Sequence, residues 1–257
     1  MKRALPLIVV ASCGSSQHAK PISADTYVIT AQRIYTAPDA PPLDGGWVEV
    51  SGGEILAVGQ GAPPAGVRRD EACSGGVITA GFQNSHVHLI ARAFAGAAHQ
   101  PAAALQAALT ELTTRYGFTT IVDTGSVPRD TLPLRDRIAH GELLGPAILT
   151  AGSPLYPEHG IPFYLRDLPP AVLAALQQPS TANDARAMVA ANLAAGADGT
   201  KLFIATPQEK GVVRRMAPEI VRAAVEETHR AGKLVMVHPT DVDGVTAAVE
   251  AGVDIVV

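Results

Sequence analysis

After Gly76 the chain alternates short apolar runs with longer alanine-rich stretches in which apolar residues recur at helical spacing. Helices are predicted over about 102–116, 182–195, 218–231 and 242–251. Each runs into a glycine (Gly117, Gly196, Gly232, Gly252), which suits the left-handed position just past a helix C-terminus. Each glycine leads into an apolar run: Thr119–Val122, Thr200–Ile204, Leu234–Val237 and Asp254–Val257. With Val77–His88 and Ala147–Ala151 added, six strands are predicted. Repeated helix, glycine, strand units imply crossover connections and a mostly parallel sheet. Alternation alone leaves open a doubly wound sheet or part of an eight-stranded barrel. A complete barrel usually takes about 250 residues, so a barrel here would lack two units.

The pattern before Gly76 is different. Tyr27–Thr30 and Arg33–Tyr35 are rich in β-branched and aromatic residues, and Pro38, Pro41 and Pro42 then break the run. Trp47–Val50 and Glu54–Val58 flank Ser51-Gly52-Gly53, the signature of a tight hairpin. This stretch is too short to bury a core alone. The first residues read as a leader: Lys2 and Arg3, an apolar stretch from Ala4 to Ala11, then small residues. Val10-Ala11-Ser12-Cys13 resembles a bacterial lipoprotein cleavage box, which makes Cys13 the expected lipidation site and Gly14 to Ala24 a polar tether. The expected location is therefore the bacterial cell envelope, periplasmic and lipid-anchored, or secreted. An ordinary signal peptide is the plainer alternative. The second cysteine, Cys73, then has no intramolecular partner, which excludes a disulfide framework.

Composition narrows the function classes. The 257 residues are 47% hydrophobic and 17% charged, which fits a packed globular domain and excludes a disordered chain. Basic and acidic residues, 20 and 24, are interspersed and aromatics are only 4%, so nucleic acid is not an expected partner. No apolar run approaches the roughly 20 residues of a membrane-spanning helix. Contact with a membrane is expected only through the lipid anchor.

The chemistry-bearing residues cluster at strand ends. His86-Val87-His88 closes the first strand of the second region, and residues i and i+2 of a strand face the same way. Two imidazoles so placed can occupy adjacent positions around a divalent ion, although His-x-His alone is weak evidence. Lys201 lies inside the apolar run Gly199–Ile204, where a cation is costly unless paired, neutral or modified. His238 ends Leu234–Val237 at the same depth. Taken singly, a snorkelling lysine and a hydrogen-bonded histidine are the plainer readings. Three strand ends carrying these residues in order favour a shared site. His159, in the loop after the third strand, is a candidate substrate contact, with an ordinary loop histidine equally in play. Asp123 either orients a ligand or caps nearby backbone.

These pieces resemble the metal-dependent amidohydrolase superfamily, close to its imidazolonepropionase-like and dipeptidase-like branches. The likeness rests on Gly53–Gly59, on the Gly81–His88 strand, on the Gly117-Phe118-Thr119-Thr120 turn, on Ala197–Phe203 and on Val237-His238, in that order. It implies an α/β fold: an incomplete (β/α)8 TIM-type barrel over 76–257, part of an N-terminal β-sandwich over 25–75, and the leader and tether over 1–24. It also implies a site. His86 and His88 would bind the more buried metal, a carbamylated Lys201 would bridge two metals, and His238 would bind the second. The expected cofactors are two divalent ions, zinc foremost, with manganese and iron chemically suitable.

The resemblance further implies hydrolysis of a C–N bond, in an amide or cyclic amide, of a small or peptide-like substrate by metal-activated water. The superfamily's next histidine ligand, after the sixth strand, and its proton-shuttling aspartate, after the eighth, have no counterpart in this sequence. Asp241, Asp243 and Asp254 lie in the fifth loop and around the sixth strand and do not take that role. The expectation is a truncated, weakly active or inactive hydrolase whose open strand edges favour homo-oligomers. Two alternatives remain: a mononuclear deaminase-like hydrolase, and a non-catalytic envelope lipoprotein that binds a ligand.

Overall fold

The computed structural model describes residues 26–257 except Cys73 and Pro169. The leader, the tether and Cys13 lie outside the described residues, as does Cys73. The chain divides into two compact units, whose boundary falls between Ala80 and Gly81.

In the first unit, β1 (Tyr27–Ile34) pairs antiparallel with β2 (Leu43–Ser51), which turns at Gly52-Gly53 into antiparallel β3 (Glu54–Gln60). Two short strands, β4 (Arg68–Asp70) and β5 (Val77–Ile78), lie parallel to β1. Ala31, Ile34 and Val48 form the small core. The expected single strand over Val77–His88 is therefore two elements. Val77–Ile78 belongs to this sheet, and a bare apolar run carries no information about which sheet will pair with it.

The second unit begins with three parallel strands: β6 (Phe82–Val87), β7 (Phe118–Asp123) and β8 (Ala147–Thr150). Helix α1 (Ala102–Leu112), extended by a 3-10 turn at Thr114–Tyr116, connects the first two. Helix α2 (Pro128–Ala139) connects the next pair. The sequence pattern did not anticipate α2: it carries an internal proline, and only Thr131 and Leu134 of its residues are buried. A short α3 (Pro170–Leu173) and α4 (Ala182–Ala194) lead to β9 (Gly199–Phe203). Helix α4 starts with a capping box in which the Thr181 side chain accepts from the Asp184 N–H and Asp184 accepts from the Thr181 N–H.

Beyond β9 the chain forms a hairpin, β10 (Ala205–Glu209) and β11 (Val212–Arg215), also not anticipated. Helix α5 (Pro218–Arg230), β12 (Leu234–His238), α6 (Val242–Glu250) and β13 (Ile255–Val256) follow. Strands β9, β12 and β13 form a second three-stranded parallel sheet. Leu155, just past β8, joins the two sheets: its N–H donates to Lys201 O at 3.0 Å, and its carbonyl accepts from Phe203 N–H at 2.8 Å. Among the described residues six parallel strands thus succeed one another in chain order, with β6 and β13 at the open edges.

Strand parity decides what faces the helices. Leu202, Val235 and Val237 pack with Val189, Val221 and Ala224 of α4 and α5. Thr200 accepts a hydrogen bond from Thr228 of α5 at 2.8 Å. Leu89, Ile121 and Ile148 pack with Leu105, Leu109 and Leu134 of α1 and α2. The alternate residues, among them Lys201, Phe203 and His238, are left for the opposite face.

Candidate active site

The parity that buries Leu202 under α5 turns Lys201 the other way. Its side chain is fully buried, and Nζ has no hydrogen-bond partner among the described residues. Nζ lies 5.2 Å from the centre of the Phe203 ring, two residues along the same strand face. In adjacent β12 the register sets Met236 beside Lys201 and His238 beside Phe203. The His238 and Phe203 rings stack at 5.1 Å, and Tyr156 stacks on Phe203 at 4.7 Å.

His86 and His88 stand at the end of β6. Their ring centres are 5.4 Å apart, edge to face, as the i, i+2 spacing predicted. The pairing of β6 with β7 slips between Asn84 and Val87, a bulge beside His86 of the kind that re-aims a side chain. The His86 N–H donates to Asn84 Oδ1 at 3.1 Å. His88 Nδ1 bonds the Gly125 carbonyl at 2.8 Å.

Burial and neighbouring charge shift three of these residues. Burial pushes the Lys201 ammonium down to about 8. Burial first, then the charges of Lys201, His86 and His88, holds His238 below the usual imidazole range. His86 is lowered by burial, then by Lys201 and His88. These shifts favour neutral imidazoles, the form that binds metal ions.

The expected ligand set is nevertheless not preassembled. Among the described residues no group of three or more histidine, cysteine, aspartate or glutamate side chains is close enough to hold a metal ion. His159 is a candidate substrate contact, not a member of that set. It sits exposed in the turn after β8 with φ 55°, and the charged groups that act on His238 are Lys201, His86 and His88.

The loop aspartates have structural partners. Asp241 caps α6 by accepting from the Gly244 N–H at 2.9 Å, and it takes both Arg215 nitrogens, at 3.0 and 2.6 Å. Asp243 accepts from the same arginine at 3.3 Å. Asp254 accepts from the Val235 N–H at 2.7 Å and pairs with His229 at 2.8 Å.

Parallel strands of an α/β unit thus carry a histidine pair, a buried lysine and a further histidine. Comparison with solved structures bears out the likeness to the amidohydrolase superfamily. The chain is similar to a candidate prolidase from Bifidobacterium longum, with 27% identity, TM-score 0.70, and cover of 90% of this chain and 54% of that one. It is similar to an amidohydrolase at 23% identity and TM-score 0.68, covering 90% of this chain and 60% of the other. A Xaa-Pro dipeptidase with methionine bound in its active site shares 21% identity at TM-score 0.67, over 90% of this chain and 61% of its own. The chain thus spans 54% to 61% of the length of these hydrolases. No protein-family model matches it, and no curated protein matches by sequence.

Proposed function

We propose that this chain is part of a metal-dependent amidohydrolase that cleaves a C–N bond, in an amide or cyclic amide, of a small or peptide-like substrate. The six parallel strands are read as part of a (β/α)8 barrel, with the first unit as part of a β-sandwich. The observation that carries the reading is Lys201: a fully buried amine without a hydrogen-bond acceptor among the described residues, in the company of three imidazoles. A cation so placed is costly unless its chemistry changes.

Addition of CO2 changes it. The Nζ lone pair of the neutral amine forms the N–C bond, one proton leaves to solvent, and a cation becomes an anionic oxygen donor. Burial favours the neutral amine that this step requires. His86 and His88 would then hold one divalent ion through ring nitrogens, His238 a second, and carbamylated Lys201 would bridge them. Such ions, when bound, supply a water of lowered pKa and polarise a carbonyl. The residues fit the ions in donor type: imidazole and carboxylate-like oxygen suit zinc, manganese and iron alike.

The later histidine and the proton-shuttling aspartate expected from the resemblance are not among these 257 residues. This stretch alone is therefore proposed to be weakly active or inactive, and its open edges, with exposed Phe82, Ile255 and Val256, support self-association. A bacterial envelope location through acylated Cys13, or secretion, belongs to the same proposal.

The test is metal analysis of the chain purified with 13C-bicarbonate and zinc or manganese, alongside 13C NMR of the folded chain and of its Lys201→Met variant. About two equivalents of metal are expected for a binuclear site, with a carbamate carbon signal that Lys201→Met lacks. One equivalent without the carbamate favours the deaminase-like alternative. No metal and an unmodified lysine overturn the hydrolytic reading in favour of a non-catalytic binding protein.

A further inference from the structure

His88 is held from behind. Its Nδ1 lies 2.8 Å from the Gly125 carbonyl oxygen. A carbonyl only accepts, so Nδ1 carries the proton and the lone pair of the neutral ring is confined to Nε2. The loop bearing that carbonyl is tied to the backbone on both sides of His88. The Thr124 N–H donates to Val87 O at 2.8 Å, and the Leu89 N–H donates to Asp123 Oδ1 at 3.1 Å.

The other Asp123 oxygen accepts from the hydroxyls of Ser126 and Thr150, both at 2.6 Å. Thr131 of α2 is 2.6 Å from the Ser126 oxygen and, with that hydroxyl proton already spent on Asp123, is the donor. The Ser126 N–H donates to Gly152 O at 3.1 Å. Asp123 is wholly buried, on the helix side of its strand with Ile121. A buried carboxylate is expensive unless its oxygens are satisfied. Here every partner is an N–H or O–H, and two of them belong to Leu89, next in chain to His88, and to Ser126, next in chain to Gly125.

We propose that Asp123, with Ser126 and Thr150, is a positioning network that fixes His88 in its Nδ1–H tautomer through the Gly125 carbonyl and so presents Nε2 to a divalent ion. This rests on the metal-centre reading above. Metal-binding imidazoles characteristically donate their second N–H to such an acceptor, which fixes tautomer and ring orientation. Asp123 acts by geometry, through groups it holds, and does not touch the ion.

The experiment uses the full chain with 15N-labelled histidine. The His88 signal is assigned with His88→Gln, and its tautomer is read from the ring nitrogen shifts without metal. Zinc affinity is then measured by competition with a chelator. The wild type is expected to show only the Nδ1–H form. Asp123→Ala should give a mixture of tautomers and about a 10- to 100-fold loss of zinc affinity. Asp123→Asn should rescue both, because its oxygen still accepts from the Leu89 N–H and its NH2 group can donate to the two hydroxyl oxygens. Should Asp123→Ala not fold, as judged by circular dichroism, Ser126→Ala removes one bond of the network and should shift both readouts in the same direction by less. A pure Nδ1–H tautomer and wild-type zinc affinity in the folded alanine variants overturn the proposal. If the wild type binds no zinc, the metal-centre reading fails, and the tautomer alone decides whether the network controls His88.

Discussion

Phe203 and His238 stack at 5.1 Å across the β9–β12 pairing, and the same phenylalanine ring lies 5.2 Å from Lys201 Nζ. With Tyr156 stacked on it as well, Phe203 is the surface that orders two of the candidate site residues. Phe203→Leu keeps most of the buried volume and removes the ring. It is expected to cost about 1–2 kcal/mol, from modest repacking and lost aromatic pairing. Urea unfolding of the metal-free chain checks this. Zinc titration should show the His238 position weakened while the His86 and His88 pair still binds.

Lys201 also predicts a pH dependence. Its folded value, about 8, lies below its unfolded value near 10.5. Between those limits the unfolded chain binds the proton and the folded chain does not, so stability rises with pH across the window and is lower below it. The full difference is roughly 3 kcal/mol. Urea midpoints at pH 7.5 and pH 10, in buffer free of metal and CO2, should differ in that sense more for the wild type than for Lys201→Met. Equal slopes in the two proteins would contradict the burial of a free amine.

Asp241 and Asp243 separate capping from chemistry. Asp241 caps α6 and pairs with Arg215, whose guanidinium holds its carboxyl below the usual range. Asp243 is exposed and only brushes the same arginine. Asp241→Ala should therefore destabilise the chain by about 1 kcal/mol, the usual worth of an N-cap. Asp243→Ala should change stability by less than about 0.5 kcal/mol, as expected of an exposed surface pair. Chemical denaturation measures both, and zinc uptake should be unchanged in either variant.

Much of this architecture was legible because local signals agreed. The glycines after α4, α5 and α6 take positive φ, and each leads into a strand of the parallel series. The even spacing of His86 and His88, and the single cation inside Gly199–Phe203, each mark one face of their strand from local sequence alone. What the sequence hid was non-local. Nothing near Val77–Ile78 says that it pairs with β1, and nothing near Asp123 says that Thr150, 27 residues away, donates to it. Helix α2 was missed because its prolines and charges mask a face that needs only a few apolar residues.

Gly125 supplies the carbonyl that holds His88, and two separate constraints keep it a glycine. Its φ of 142° is one that residues with a side chain rarely adopt, and an added Cβ would fall 2.3 Å from Pro154 Cγ. Gly125→Ala should therefore destabilise the chain by about 2–4 kcal/mol, the strain and the overlap adding. Pro154→Ala removes Cγ and Cδ, and leaves Cβ at an ordinary 3.5 Å. In the double variant the overlap is relieved and the backbone strain persists. The coupling in a double-mutant cycle should thus be favourable by about 1–2 kcal/mol, short of full rescue. Thermal or urea unfolding of the four proteins measures it. Strict additivity would mean that Pro154 does not confine this turn, and full rescue would mean that the left-handed backbone carries no strain there.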